Sequence, residues 1–151
     1  MDAQEKDAER PLTSEGRREM ADVAEFISGL HIEFDIVATS PLKRAVGTAE
    51  IVARKLRSLN RLEEWDELRP TGDSAELLRK LSRLGSTKQV ILVGHEPYLS
   101  TMIAEIVAGK TGVNLVLKKG GLAKVRISTF KPAVSGELRW ILTPKLMKKM
   151  A

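Results

Sequence analysis

Two short stretches of this 151-residue chain place reactive side chains where an apolar run gives way to a helix. In the first, Thr39-Ser40-Pro41-Leu42-Lys43-Arg44, an arginine falls in the opening turn of the helix. In the second, Val93-Gly94-His95-Glu96-Pro97, a histidine stands at the turn itself. Open α/β sheets bind ligands in the crevice at the carboxyl ends of their strands. Helix N-termini there offer free N–H groups and a positive dipole end, a setting for an anion. Arginine's planar fork matches phosphoryl oxygens two at a time, so Arg44 and His95 are expected to meet over one phosphate. Arg44 taken alone reads as a solvated helix residue; the design shared by the two stretches is what argues for a site. His31, in Gly29-Leu30-His31-Ile32, falls where a helix gives way to a strand and reads as a surface residue.

The elements that position these residues follow from periodicity. Met1 to Glu9 is polar and acidic, without apolar alternation, and reads as a frayed end. A helix follows, capped by Thr13 or Ser14 with Glu15 in its first turn, and Met20, Val23, Ala24 and Ile27 form its inner stripe. Phe34 to Thr39 reads as a buried strand. Ser40-Pro41 opens the next helix, serine as cap and proline in the first helical position, with Leu42, Ala45, Ala49, Val52 and Leu56 inward. Leu62 to Trp65 reads as a short strand and the Pro70 to Asp73 region as a loop. Leu77, Leu78, Leu81 and Leu84 mark a third helix, stopped by Gly85. Gln89 to Val93 is the strongest strand signal, and the helix after Pro97 turns Leu99, Met102, Ile103 and Ile106 inward. Asn114 to Leu117, Leu122 to Phe130 and Glu137 to Leu142 read as further strands, punctuated by Gly120-Gly121 and Ser135-Gly136. Alternating strands and helices predict an α/β fold with a largely parallel sheet and helices on both faces. The last third reads as antiparallel edge strands.

Composition narrows the function. Hydrophobic residues at 42% and charged residues at 30% fit a soluble globular chain, read as a single domain over residues 1–151. The absence of cysteine excludes disulfides and thiolate metal sites, and two histidines exclude a histidine-rich metal cage. No metal or cofactor is expected. Neither a bilayer-spanning apolar run nor a signal peptide is present, so a cytoplasmic location without a membrane partner is expected. The net charge of +5 invites a nucleic-acid reading. Its positive residues are scattered, however, in pairs such as Arg17-Arg18, Lys118-Lys119 and Lys148-Lys149, and aromatics at 4% make no stacking platform. No nucleic-acid partner is expected; a small anionic substrate suits the charge equally well.

Four fragments occur in order: Arg10-Pro11-Leu12-Thr13-Ser14-Glu15-Gly16, Ser40-Pro41-Leu42-Lys43-Arg44-Ala45, Val93-Gly94-His95-Glu96-Pro97 and Ser135-Gly136-Glu137-Leu138-Arg139-Trp140. Together, from about Arg10 to Lys149, they make the chain resemble the SixA-type phosphohistidine phosphatases of the histidine phosphatase (phosphoglycerate mutase-like) superfamily. The resemblance implies a three-layer α/β/α sandwich with a mostly parallel central sheet. It also implies transfer of a phosphoryl group to a histidine and then to water, on a phosphorylated protein or small phosphorylated substrate. Arg44 would be the second phosphate-pocket arginine and His95 the second pocket histidine. Glu67, in Trp65-Asp66-Glu67-Leu68-Arg69, would match the carboxylate that protonates the leaving oxygen of phosphate esters. A phosphohistidine leaves as imidazole and needs that acid less. The phosphoryl group in flight spreads negative charge over its equatorial oxygens, which is why the pocket is built of cationic donors.

One departure stands out. The family opens on an apolar strand ending in Arg-His-Gly, which supplies the nucleophile, and this sequence contains no Arg-His-Gly. Counting back from Arg10-Pro11-Leu12-Thr13, the motif should fall just before Met1. The expectation is a domain lacking its first strand, with open sheet edges prone to self-association. Three functions are therefore carried forward: a phosphohistidine phosphatase in the intact form, a non-catalytic phosphate- or phosphoprotein-binding domain, and a phosphatase of small phosphate esters.

Overall fold

A computed structural model describes residues 2–109 and 113–151. The chain forms helices α1 (Ala3–Glu9) and α2 (Ser14–Gly29), strand β1 (Ile36–Thr39), helix α3 (Lys43–Lys55) and strand β2 (Leu62–Glu64). Helix α4 (Ser74–Ser82), strand β3 (Val90–Val93) and helix α5 (Tyr98–Ala108) follow. Strands β4 (Leu122–Thr129) and β5 (Ser135–Leu142) and helix α6 (Pro144–Met150) close the chain.

Residues 2–9 are not frayed, and Met1, the first residue of that reading, lies outside the described residues. Asp2 caps α1 by accepting from Glu5 N at 2.8 Å, while the Glu5 carboxylate accepts from Asp2 N at 3.0 Å. No residue of α1 is buried. It is held by its cap and by ion pairs, so a reading keyed to apolar spacing had nothing to detect. In α2, Thr13 is the cap and accepts from Gly16 N at 3.0 Å. The expected stripe of Met20, Val23, Ala24 and Ile27 is buried, with Phe26 added to it.

Strands β1, β2 and β3 pair in the order β2-β1-β3, all parallel. Alternation along the strands sends successive side chains to opposite faces. Val37 and Ile91 join α2, α3 and Met147 of α6 in one core cluster. Ala38 joins Trp65, Leu68, and α4 and α5 residues Leu77, Leu78, Met102 and Ile106 in the other. The result is an α/β/α arrangement around a parallel sheet. Among the described residues, no helix is long and apolar enough to cross a membrane.

Several elements differ from their sequence reading. The strand expected from Asn114 to Leu117 is absent: those residues have no regular structure, and Val116 is 69% exposed. β-branched residues favour a strand only where a neighbour can pair with them. Helix α3 starts at Lys43 rather than Pro41, and Ser40 is not its cap. Helix α4 ends at Ser82, leaving Leu84 outside it, and Gly85 turns the chain at φ +97°. Helix α6 went unread, although Thr143 caps it, accepting from Leu146 N at 3.2 Å, with proline at its start.

The last third forms a sheet of its own. Strands β4 and β5 pair antiparallel with each other, and no ladder joins them to β3 among the described residues. They still lie in the same layer, because their two faces feed the same two clusters. Leu122, Trp140 and Leu142 pack against the first, Val125 and Ile127 against the second. Phe26 of α2 meets Trp140 edge to face, ring centroids 6.3 Å apart. The second edge of β3 therefore has no partner among the described residues.

Candidate functional site

The register of the parallel sheet brings the two chemical stretches together. Thr39 pairs with Val93, so the residues that follow them emerge side by side at the carboxyl ends of β1 and β3. Ser40 N donates to Val93 O at 2.9 Å, extending the ladder one step beyond β1. His95 comes two residues after Val93, and its Nε2 lies 2.8 Å from Ser40 Oγ. Thr39 and Ser40 are fully buried, and the Thr39 hydroxyl donates to Ser40 O at 2.9 Å. Ser40 Oγ also accepts from Leu42 N at 3.3 Å. The serine read as a helix cap thus faces the histidine instead, while Pro41 turns the chain into α3.

Arg44 projects from the first turn of α3 into contact with α1. Its Nη1 donates to Asp7 O and its Nη2 to Asp7 Oδ2, each at 3.0 Å. Asp7 also pairs with Arg10 at 2.8 Å, and Lys43 pairs with Glu9 at 2.9 Å. Burial holds the His95 imidazole below its ordinary pKa, the charge of Arg44 depresses it further, and Asp7 opposes both. Arg44, His95 and Asp7 therefore share one electrostatic neighbourhood. Asp7 carried no local signal, since it contacts a residue 37 positions away from a segment without apolar pattern.

The helix N-termini contribute unequally. At α5, Glu96 accepts from Ser100 N at 2.9 Å, so a carboxylate already meets that end. Glu67 sits to one side of the site. Its carboxylate is 3.3 Å from Lys80 Nζ, its carbonyl accepts from Tyr98 Oη at 2.6 Å, and Lys80 lies 4.6 Å from the Trp65 ring centre. Burial, with Asp73 and Glu67 nearby, raises the Tyr98 pKa. No hydrogen bond joins the Glu67 carboxylate to Arg44 or His95 among the described residues. His31 is exposed, with φ 53°, and precedes β1, which places it at the opposite end of that strand from the site.

Known proteins are similar to this chain in sequence or in fold. Residues 3–74 match the histidine phosphatase superfamily, branch 1. An uncharacterized protein of Picosynechococcus sp. is 33% identical over 144 residues, which is 93% of this chain and 87% of that protein. The phosphohistidine phosphatase SixA of Escherichia coli is 28% identical over 144 residues, covering 94% of this chain and 86% of that one. A solved structure of the protein histidine phosphatase SixA complexed with tungstate matches with a TM-score of 0.79 at 28% identity, covering 94% of this chain and 89% of that chain. On sequence and fold together, this chain belongs to the histidine phosphatase superfamily and is of its SixA type.

Proposed function

We propose that this chain binds the phosphoryl group of phosphohistidine on a protein, as the anion-holding part of a phosphohistidine phosphatase site. The observation that carries this reading is the meeting of Ser40 and His95 at the ends of adjacent parallel strands, with Arg44 in the next helical turn. Arg44 offers a bidentate fork and His95 a ring donor, the pair a tetrahedral oxyanion requires. The tungstate bound by the similar SixA structure is an oxyanion of that shape, which supports the reading.

Hydrolysis through a phosphohistidine intermediate asks for a second histidine, neutral at the attacking nitrogen. His31 stands at the other end of β1, and in this reading His95 serves to hold the anion. Binding without turnover is the reading for residues 2–151 taken alone. The edge of β3 without a partner among the described residues runs to Gly94-His95, so a strand laid parallel along it would end beside the pocket. A strand ending in Arg-His-Gly would deliver the nucleophile there. Glu67 takes no step in this scheme, because its carboxylate rests on Lys80 and an imidazole leaving group needs little acid help.

Calorimetric titration with phosphate and vanadate tests the pocket. Arg44→Ala removes a charge-assisted bidentate contact worth about 1.5–3 kcal/mol, a loss of roughly tenfold or more in affinity. Equal affinities for Arg44→Ala and the parent would refute the assignment. Phosphohistidine release by a chain extended with a strand ending in Arg-His-Gly tests the chemistry. Turnover is expected there, reduced roughly 100- to 1000-fold by His95→Ala; an inert extended chain would restrict the function to binding.

A further inference from the structure

The contact between Ser40 and His95 fixes more than a distance. Ser40 is fully buried, so its hydroxyl proton must find an acceptor inside the protein. One lone pair of Ser40 Oγ already accepts from Leu42 N. His95 Nε2, at 2.8 Å, is the acceptor within reach of that proton among the described hydrogen bonds. The geometry points to Ser40 as a positioning residue that donates to Nε2, holds His95 as the neutral Nδ1–H tautomer, and leaves Nδ1–H as the ring's donor to a bound anion.

The alternative arrangement carries a cost. If Nε2 bore a proton, Ser40 Oγ would accept from both Nε2 and Leu42 N, and its own proton would be orphaned in a buried site. Ser40 therefore opposes protonation of His95. It acts in the same direction as Arg44 on α3, while Asp7 on α1 acts the other way. A hydrogen bond to the neutral form of a base disfavours its charged form. The sequence logic is simple: a serine one residue past β1 and a histidine two residues past β3 are brought together by the Thr39 to Val93 register.

This role rests on the anion-binding reading for its purpose but not for its test. Nitrogen-15 NMR of the His95 ring reports, without any ligand, which nitrogen bears the proton and how the ring titrates. The parent should show the proton on Nδ1. Ser40→Ala should shift the titration of His95 to higher pH and spread the proton over both nitrogens; Ser40→Thr, which keeps the hydroxyl, should restore the parent pattern. Backbone amide spectra establish that each variant is folded, and the parent measurement stands even where a variant is not. A parent proton on Nε2, or a downward shift in Ser40→Ala, would overturn the inference. Phosphate titration of the same variants should show about a fivefold loss for Ser40→Ala, the equivalent of one neutral hydrogen bond. If the parent itself bound no phosphate, the anion reading would fail while the tautomer result stayed legible.

Discussion

Asp7 grips Arg44 with two oxygens, its carboxylate on Nη2 and its main-chain carbonyl on Nη1, each at 3.0 Å. A phosphate approaching the guanidinium fork would use the same two N–H directions. The acidic helix α1 therefore supplies the arginine with an internal ligand, and a phosphate held on those same two N–H groups, as proposed above, would have to displace it.

Asp7→Asn should strengthen phosphate binding. The pair is part exposed, with side chains 25% and 41% accessible for Arg44 and Asp7. Water screens such a pair, and up to about 1 kcal/mol is at stake, or up to about fivefold in affinity. Calorimetry at low and at high ionic strength checks this, with the gain shrinking as salt rises. An unchanged affinity at low salt would move the anion away from this arginine.

The titration of His95 sets a pH dependence of stability. Burial first, then Arg44, holds its folded pKa below the ordinary 6.5. In the window just below that value the unfolded chain takes up a proton that the folded chain refuses. The stability is present in full above pH 6.5 and is lost as pH falls through the lowered folded value. Urea midpoints measured downward from about pH 7 should fall, and the fall should be smaller for His95→Gln. Parallel curves for the two proteins would assign the loss to other groups.

Gly136 joins the hairpin to α5. A Cβ there would stand 2.4 Å from the Arg126 carbonyl oxygen and 2.8 Å from Ile106 Cγ2. The first of these is backbone of the strand with which it pairs, and cannot move without disturbing the ladder. Gly136→Ala should lower stability by about 1–3 kcal/mol. Gly29→Ala serves as the control, since nothing lies within 4 Å of its added carbon. Thermal melts of the two variants should diverge; matching melting temperatures would mean that the hairpin yields freely.

What could be read from sequence was what repeats or abuts. The stripes of α2 and α3, the apolar runs of β1 and β3, and the turns carrying Arg44 and His95 lie in local patterns of three to six residues. What escaped depends on partners distant in sequence. Whether Asn114 to Leu117 pairs, and whether the hairpin joins the main sheet, depends on a neighbouring strand that no local window contains. Ser40 was legible as a residue but not in its role: its hydroxyl suits a cap or a histidine equally, and only the strand register decides. Asp7 reaches the site through an exposed helix built on a capping box, a signal of Asp2 and Glu5 that apolar spacing passes over.

The edge of β3 that has no partner among the described residues should be visible in hydrogen exchange. Val93 turns its carbonyl toward β1, where Ser40 N bonds it. Backbone groups alternate in direction along a strand, so the Val93 and Ile91 amides face β1 while those of Val90 and Leu92 face outward. Strand β1 has a neighbour on each side, and its amides should exchange most slowly in the sheet. Within four residues of β3, protection should therefore alternate, with Val90 and Leu92 fast and Ile91 and Val93 slow. A strand docked along that edge would slow the fast pair and leave the others as they were, giving each docking event its own isotopic signature.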